Sequence, residues 1–185
     1  MTHASCTTSP QELLEYWLGE LDAANELRLD EHLLACSACS ERLQTIVELG
    51  AAIRRELLGG HFGFVLPTRF VRRIKESGLR LREYNLEPGG SVNCTITRDD
   101  DLVVSYLHAQ LRDVGRLDFV IDDPTAGTLR LSDVAFDPEA DGVTLVPSVP
   151  YLRTLGRAEL RARLVAVEGV DERVIADYTF NHSPS

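Results

Sequence analysis

The chain has 185 residues, of which 44% are hydrophobic and 26% charged, and its formal net charge is −10. This composition is typical of a globular protein and excludes a wholly disordered chain. The acidic balance argues against a surface that binds nucleic acid or anionic membranes, and it favours a basic protein partner.

The amino-terminal segment lacks the basic stretch and apolar core of a signal peptide, and no apolar run approaches the roughly 20 residues of a membrane helix. We therefore expect a cytoplasmic protein without a membrane span. In a reducing cytosol, clustered cysteines are more often metal ligands or redox thiols than structural disulfides.

Three helices are predicted in a first domain over residues 1–58. The first spans about residues 10–18, with Ser9 as its N-cap and a proline in its first turn. The second runs to about residue 35 and begins after Asp22, which can cap it. The third starts between residues 37 and 39 and ends near residue 58.

The third helix carries apolar residues at spacings of three and four, which is typical of a helix that packs against other helices. Gly50 lies within this seam and, lacking a side chain, predicts a close approach of a neighbouring helix. The seam consists of Leu43, Ile46, Gly50, Ile53 and Leu57.

Residues 59–78 are predicted to form a connector with apolar anchors followed by a fourth helix over residues 68–77, with Gly78 as its terminator. This helix combines basic and apolar side chains. Two interpretations remain open for apolar residues such as Phe70 and Ile74: contact with a partner protein, or docking on the neighbouring carboxy-terminal domain.

After about Leu79, apolar and polar residues alternate in short segments separated by turn residues. This pattern predicts an antiparallel β-sandwich or jelly-roll-like domain over residues 79–185, and an α+β fold class for the chain. The predicted strand segments are residues 91–97, 102–109, 115–122, 128–136, 143–148, 158–168 and 173–182.

Three local features of this domain are also predicted. Cys94 shares a strand face with Val92 and Ile96, so we interpret it as a core thiol. The apolar alternation changes phase between Leu164 and Val165, which predicts a β-bulge. The last two strand segments are separated by a short turn and predict a hairpin.

The sequence HLLACSAC places one histidine and two cysteines within eight positions. On a helix, His32 and Cys36 share a face, and Cys39 lies about one turn further on. A C-x-x-C at a helix start can direct both sulfurs at one tetrahedral ion such as zinc. Cys6 is the candidate fourth ligand, carried back by the helical hairpin, and His3 is the fallback.

The competing interpretation is that two small buried thiols lie near an unrelated imidazole. Three candidate ligands in eight positions, with Cys6 before the helical hairpin, favour a metal site. Three thiolates and one imidazole leave no coordination position open, so the site would be structural rather than hydrolytic. Bound metal would then stabilise a helical domain too small for a large apolar core.

The spacing from Cys6 to His32 and through H-x-x-x-C-x-x-C, with ELLEYWLGELD and DEHLLACSACSERL around it, resembles the zinc-binding anti-sigma factor domain of bacteria. The resemblance covers about residues 1–60, a third of the chain. It implies a helical module that binds an extracytoplasmic-function sigma factor and keeps it from RNA polymerase and promoter DNA. The implied zinc ligands are Cys6, His32, Cys36 and Cys39.

The resemblance also implies a partner surface, for which we expect apolar side chains to supply affinity and the acidic helices to speed association with a basic sigma factor. No direct nucleic-acid contact is expected. The candidate partner-binding residues are Leu13, Trp17, Phe70, Arg73 and Ile74.

In some members of that family the thiolates are oxidised and zinc is lost, which releases the sigma factor, whereas in others the zinc is only structural. Both remain open, as does the alternative of a zinc-stabilised adaptor for another regulator. No catalytic triad, phosphate loop or nucleotide motif is recognised, so no enzymatic activity is expected. The aspartates around Asp100 and Asp123 are better explained by turns than by calcium.

Overall fold

The structure, a computed structural model, describes residues 6, 8–59, 63–75 and 78–184. The chain divides into two compact units, Met1–Arg55 and Glu56–Ser185, which we call the helical unit and the β unit. The fold class is α+β, with helices at the amino terminus followed by two mixed sheets. None of the helices in the described ranges has the length and apolar content needed to cross a bilayer.

The three predicted helices of the helical unit are present. They are α1 (Pro10–Leu18), α2 (Ala23–Ala35) and α3 (Ser37–Gly59), and the chain passes into the β unit within α3.

Both predicted N-caps are confirmed. Ser9 accepts a hydrogen bond from the backbone N–H of Glu12, and the Glu12 carboxylate accepts one from the N–H of Ser9, so that α1 begins with a capping box. Asp22 accepts from the N–H groups of Ala24 and Asn25 at the start of α2.

The core of the helical unit is small. Among the described residues, its buried cluster consists of Leu13, Leu29 and Cys39, with partly buried neighbours around it. The predicted close approach at Gly50 is confirmed, because a Cβ atom at this position would lie 2.5 Å from two ring carbons of Trp17. The indole of α1 therefore packs directly on the backbone of α3.

Each of the seven predicted strand segments overlaps a strand of the β unit. Two further strands and a short helix have no counterpart among them, and one of these strands, β1, lies in the predicted connector. The elements are β1 (Phe64–Leu66), α4 (Thr68–Lys75), β2 (Leu81–Leu86), β3 (Gly90–Ile96), β4 (Leu102–His108), β5 (Leu117–Asp123), β6 (Gly127–Leu131), β7 (Gly142–Val146), α5 (Val149–Thr154), β8 (Ala158–Glu168) and β9 (Asp171–Pro184).

The strands form one sheet in the order β1-β7-β4-β2 and another in the order β3-β9-β8-β5-β6. The prediction of purely antiparallel pairing was wrong for two pairs, since β2–β4 and β3–β9 are parallel. The chain leaves β2 through a tight turn in which Gly89 adopts a left-handed φ of 74°. Instead of closing a hairpin, β3 joins the other sheet and β4 returns, so two reversals make β2 and β4 parallel.

One large buried cluster draws side chains from both sheets. Cys94 belongs to it together with Ile96, as predicted for a core thiol. The predicted hairpin is confirmed by the antiparallel pairing of β8 with β9, and the predicted bulge by a register shift between Leu164 and Val165. The register shift leaves Ile175 of β9 unpaired, and the regular alternation of β8 places Val165 on the opposite face from Leu164, in a second, smaller cluster.

Helix α4 docks within the β unit. Val71 is fully buried, and the Thr144 hydroxyl of β7 donates a hydrogen bond to the Thr68 hydroxyl at 3.1 Å. Lys75 forms an ion pair with Glu83 of β2. This arrangement agrees with the docking interpretation of the fourth helix, while contact with a partner stays a prediction.

Candidate metal centre

The four predicted ligands come from three places in the helical unit. Cys6 precedes α1, His32 lies in the last turn of α2, Cys36 is the C-cap of α2 and Cys39 lies in the first turn of α3. Their ligand atoms all lie within 4.8 Å of one another. Cys6 and Cys39, which are 33 positions apart in sequence, thus converge on one point.

Cys6 lies within hydrogen-bonding distance of two other members of this group. Its Sγ atom lies 2.9 Å from Sγ of Cys39 and 3.3 Å from Nε2 of His32. Zinc–sulfur bonds of about 2.3 Å place the sulfurs of a tetrahedral site about 3.8 Å apart, so the four donors need only small shifts to surround an ion. The cysteines are free thiols, and the Sγ–Sγ separation of 2.9 Å is far longer than the roughly 2.05 Å of a disulfide.

A break between two helices brings both sulfurs of the C-x-x-C to the same place. Cys36 adopts an extended conformation that ends α2, and α3 starts at the next residue. The Ser40 hydroxyl donates to the carbonyl of Leu33 at 2.7 Å and so ties the start of α3 to the end of α2. The motif therefore spans a helix junction rather than a single continuous helix.

The thiols share protons unequally. The pKa of Cys6 is lowered to about 6, mainly by the hydrogen bond between Cys6 and Cys39 and next by a hydrogen bond with the backbone of Thr8. The same hydrogen bond, together with burial, raises the pKa of Cys39 to about 11. These shifts make Cys6 the thiolate of the pair and leave the shared proton on Cys39. A cation that binds both sulfurs would displace this proton into solution.

The four candidate ligands differ in their exposure to solvent. Cys39 is fully buried and belongs to the core cluster, whereas Cys6, His32 and Cys36 are partly exposed. The candidate centre is therefore continuous with the apolar core of the helical unit, and it keeps a side from which a small oxidant can reach a sulfur.

The predicted partner-binding residues have varied environments. Leu13 is fully buried in the core of the helical unit, and Trp17 is partly buried against Gly50. Phe70 is partly buried in α4. The side chains of Arg73 and Ile74 lie outside the described part of the chain, as does the whole of His3.

An exposed apolar pair on α2 was missed by sequence reasoning. Leu27 is 61% exposed and Leu34 is 91% exposed, and a spacing of seven residues places them on one face with Glu31 between them. The available signal was that both leucines lie off the face that carries the buried Leu29. Thr8 and Ser40, which support the ligands, carried no recognisable signal.

The aspartates of the β unit have protein partners in turns. Asp100 accepts from the guanidinium of Arg82 at 2.7 Å and from the N–H of Thr97 at 2.7 Å. Asp123 accepts from the N–H groups of Thr125 and Ala126. These contacts agree with the predicted role of aspartates in β-turns.

No protein-family model matches the chain, and no curated protein matches it. Among solved structures, it is similar to the N-terminal domain of phage TP901-1 ORF48, with 16% sequence identity and a TM-score of 0.38. The match covers 58% of this chain and 99% of that chain. A similarity at this level carries no argument about function, so any function has to be inferred from the residues of the chain themselves.

Proposed function

We propose that this protein is a cytoplasmic, zinc-containing anti-sigma factor that sequesters an extracytoplasmic-function sigma factor and so represses transcription. The observation that carries the proposal is the convergence of Cys6, His32, Cys36 and Cys39, whose spacing resembles that of zinc-binding anti-sigma domains. The free thiols of the chain are in keeping with a reducing compartment.

The chemistry of the donor set favours zinc over harder cations. Thiolate and imidazole donors suit zinc, whereas magnesium and calcium require oxygen ligands. A site closed by three sulfurs and one nitrogen has no position for water, so its role is to hold α1, α2 and α3 together. The hydrogen bond from Ser40 to Leu33 fixes the junction that presents Cys36 and Cys39.

The partner surface that we propose is the exposed face of α2. A leucine that is 91% exposed, as Leu34 is, gains none of its burial energy until another surface covers it. Leu27 and Leu34 supply an apolar contact, and Glu31 adds negative charge beside them. Such a face fits a groove that is apolar in the centre and basic at its rim, where charge speeds association and sets register.

We infer further that the two sheets of the β unit stack as a sandwich, because one buried cluster takes side chains from both of them. Phe70, Arg73 and Ile74 stay predictions as partner contacts. Within the described residues, α4 already covers part of the β unit with Val71, so a role in partner binding would require α4 to leave that position.

The proposal is tested by co-expressing the protein with the sigma factor encoded by the neighbouring gene and measuring co-purification and transcription in vitro. We expect a stable complex and repression of sigma-dependent transcription. Absence of both would overturn the proposal. Capture of a different regulator instead would establish the alternative, a zinc-stabilised adaptor.

The docking face is tested by Leu34→Glu, for which we expect binding to weaken at least about tenfold without loss of zinc. The matched control is Val170→Glu, because Val170 is 96% exposed but lies in the β8–β9 turn of the β unit. Equal effects of the two substitutions would contradict the proposed face.

A redox switch is distinguished from structural zinc by mild peroxide. If Cys6 or Cys36 reacts from the exposed side of the centre, zinc release and dissociation of the partner should occur together. Retention of both zinc and partner would identify the ion as structural only.

A further inference from the structure

The β unit contains a cavity of about 330 Å³, which we call the β-unit cavity. Both sheets line it. Its size lies within the range of small-molecule sites and far exceeds the space of a single water molecule. Its walls are mainly apolar, and they include Val103, Phe119, Ile121, Leu145, Leu160 and Phe180.

Two buried serines, Ser105 and Ser148, interrupt this apolar lining, and the Ser148 hydroxyl already accepts from the N–H of Tyr151. Ser105 of β4 is 1% exposed and lies between Val103 and Leu107, so the alternation of the strand places it on the face that bears the core. It lines the cavity, and its hydroxyl forms no hydrogen bond with any residue that the structure describes. A polar group that faces an apolar cavity fixes the orientation of a ligand, so a ligand with one hydrogen-bonding group would complete this position.

The open end of the cavity carries a negative charge. Exposed residues of the turn between β5 and β6, including Ala126, form part of the lining. Beside them the Tyr151 hydroxyl of α5 donates to the Asp123 carboxylate at 2.6 Å. A carboxylate at the entrance disfavours anionic ligands such as fatty acids by like-charge repulsion.

We propose that the β-unit cavity binds a neutral, predominantly apolar small molecule, whose single hydrogen-bonding group meets the Ser105 hydroxyl. Apolar walls supply affinity, and the Ser105 hydroxyl orients the ligand. This site does not depend on the proposed anti-sigma function, since every residue that forms it belongs to the β unit.

Two fluorescent probes of matched shape test the ligand class on the full-length, zinc-loaded protein. N-Phenyl-1-naphthylamine is neutral with a single N–H donor, and 8-anilinonaphthalene-1-sulfonate adds a negative charge to the same aromatic skeleton. We expect saturable one-to-one binding of the neutral probe, and binding of the sulfonate that is weaker by about tenfold or more. Equal affinities, or no binding of the neutral probe, would overturn the proposal.

Substitutions at Ser105 locate the site. Ser105→Leu fills the cavity and should abolish binding of the neutral probe, whereas Ser105→Ala keeps the space and should weaken binding about fivefold through loss of one hydrogen bond. The control is Ser91→Leu, the same change on the exposed face of β3. Unchanged binding by a folded Ser105→Leu protein would refute the assignment.

A measurement on the unmodified chain covers the case in which Ser105→Leu fails to fold. A ligand that binds only the native β unit raises its unfolding temperature. We expect saturating N-phenyl-1-naphthylamine to raise the midpoint of the β-sheet circular dichroism signal by several degrees and to leave the midpoint of Trp17 fluorescence in the helical unit unchanged. A rise in the Trp17 midpoint alone, or in neither, would contradict binding in the β-unit cavity.

Discussion

The helical unit and the β unit are stabilised by different means. Among the described residues, the buried cluster of the helical unit has three members, and one of them, Cys39, is itself a candidate metal ligand. Among the same described residues, the main buried cluster of the β unit comprises 23 residues, which come from both sheets, from α5 and from loops. Apolar burial can therefore hold the β unit together, whereas a helical unit of this size needs a further source of stability. The comparison predicts that the helical unit depends on an ion for its stability and that the β unit does not.

Two side chains allow the units to be followed separately. The one tryptophan of the chain, Trp17, packs on Gly50 in the helical unit and reports on that unit alone. Cys94 is the one cysteine outside the candidate metal centre, and it lies in the core of the β unit. Fluorescence and thiol substitutions can thus test the comparison in each unit by itself.

The largest expected effect is that of metal removal. A strong chelator, or Cys39→Ser, should unfold the helical unit, since structural zinc contributes on the order of 10 kcal/mol in small domains. Trp17 fluorescence should shift to that of an exposed indole, while the β-sheet circular dichroism signal and its midpoint persist. Cys94→Ser is the control, which should keep the full zinc content. An apo protein with an unchanged Trp17 spectrum would show that the unit does not need the ion.

The second effect is confined to the β unit and concerns Asp118. This carboxylate is fully buried, and it accepts hydrogen bonds from the N–H of Asp133 at 2.9 Å and from the guanidinium of Arg130 at 2.7 Å. We expect Asp118→Asn to lower the free energy of unfolding of the β unit by about 2–3 kcal/mol in urea titrations at neutral pH. The control, Asp99→Asn, removes an exposed ion pair with Arg80 and should cost less than about 1 kcal/mol.

The pKa of Asp118 predicts how the stability of the β unit depends on pH. Burial alone would raise the pKa of Asp118, but the hydrogen bonds from Asp133, Arg116 and Arg130 outweigh it and lower the pKa to about 2. Because the native pKa lies below that of the unfolded chain, the stabilisation is complete above about pH 5 and is lost as the pH falls towards about 2. The difference between the native protein and Asp118→Asn should shrink over that interval. A constant difference would contradict the assignment.

The two units also differ in how far the sequence predicts them. In the helical unit the signals are local: Ser9 and Glu12 form a capping box three residues apart, and His32 and Cys36 lie one turn apart. Only Cys6 had to be brought in from a distance, and a helical hairpin limits where it can lie. Helix bounds and the convergence of the four candidate ligands were therefore predictable.

In the β unit the decisive contacts join distant residues. The parallel pairing of β2 with β4 depends on β3 joining the other sheet, which a tight turn at Gly89 does not reveal. Asp118 and Arg130 meet because β5 pairs with β6, and Ser105 lines a cavity only because both sheets close around it. Strand positions could be predicted from alternation, whereas their partners, and with them the cavity, could not.

A smaller effect tests the packing of the helical unit. In Gly50→Ala the new Cβ would lie 2.5 Å from the Trp17 ring, so the indole or the helix must move. Overpacking should exceed the helix propensity gained with alanine and destabilise the helical unit by about 1–2 kcal/mol in Trp17-detected urea unfolding. Gly115→Ala is the control, since a Cβ there meets no described atom within 4 Å. A gain in stability for Gly50→Ala would show that the indole does not lie on Gly50.

The smallest effect tests whether folding of the helical unit is coupled to metal binding. Ser9→Ala removes the acceptor that the N–H of Glu12 uses at 3.1 Å. Loss of such a cap should cost about 1 kcal/mol. If metal binding drives folding of the helical unit, that cost appears as an apparent zinc affinity about fivefold weaker in a competition titration with a chromogenic chelator.

The matching substitution in the β unit is Ser148→Ala, which removes the N-cap of α5, where the serine hydroxyl accepts from the N–H of Tyr151 at 3.1 Å. We expect it to lower β-unit stability by a similar amount and to leave zinc affinity unchanged, because apolar burial rather than an ion holds that unit. If Ser148→Ala weakened zinc binding as much as Ser9→Ala, the two units would not be energetically separate. If neither did, the helical unit would already be folded before the ion binds.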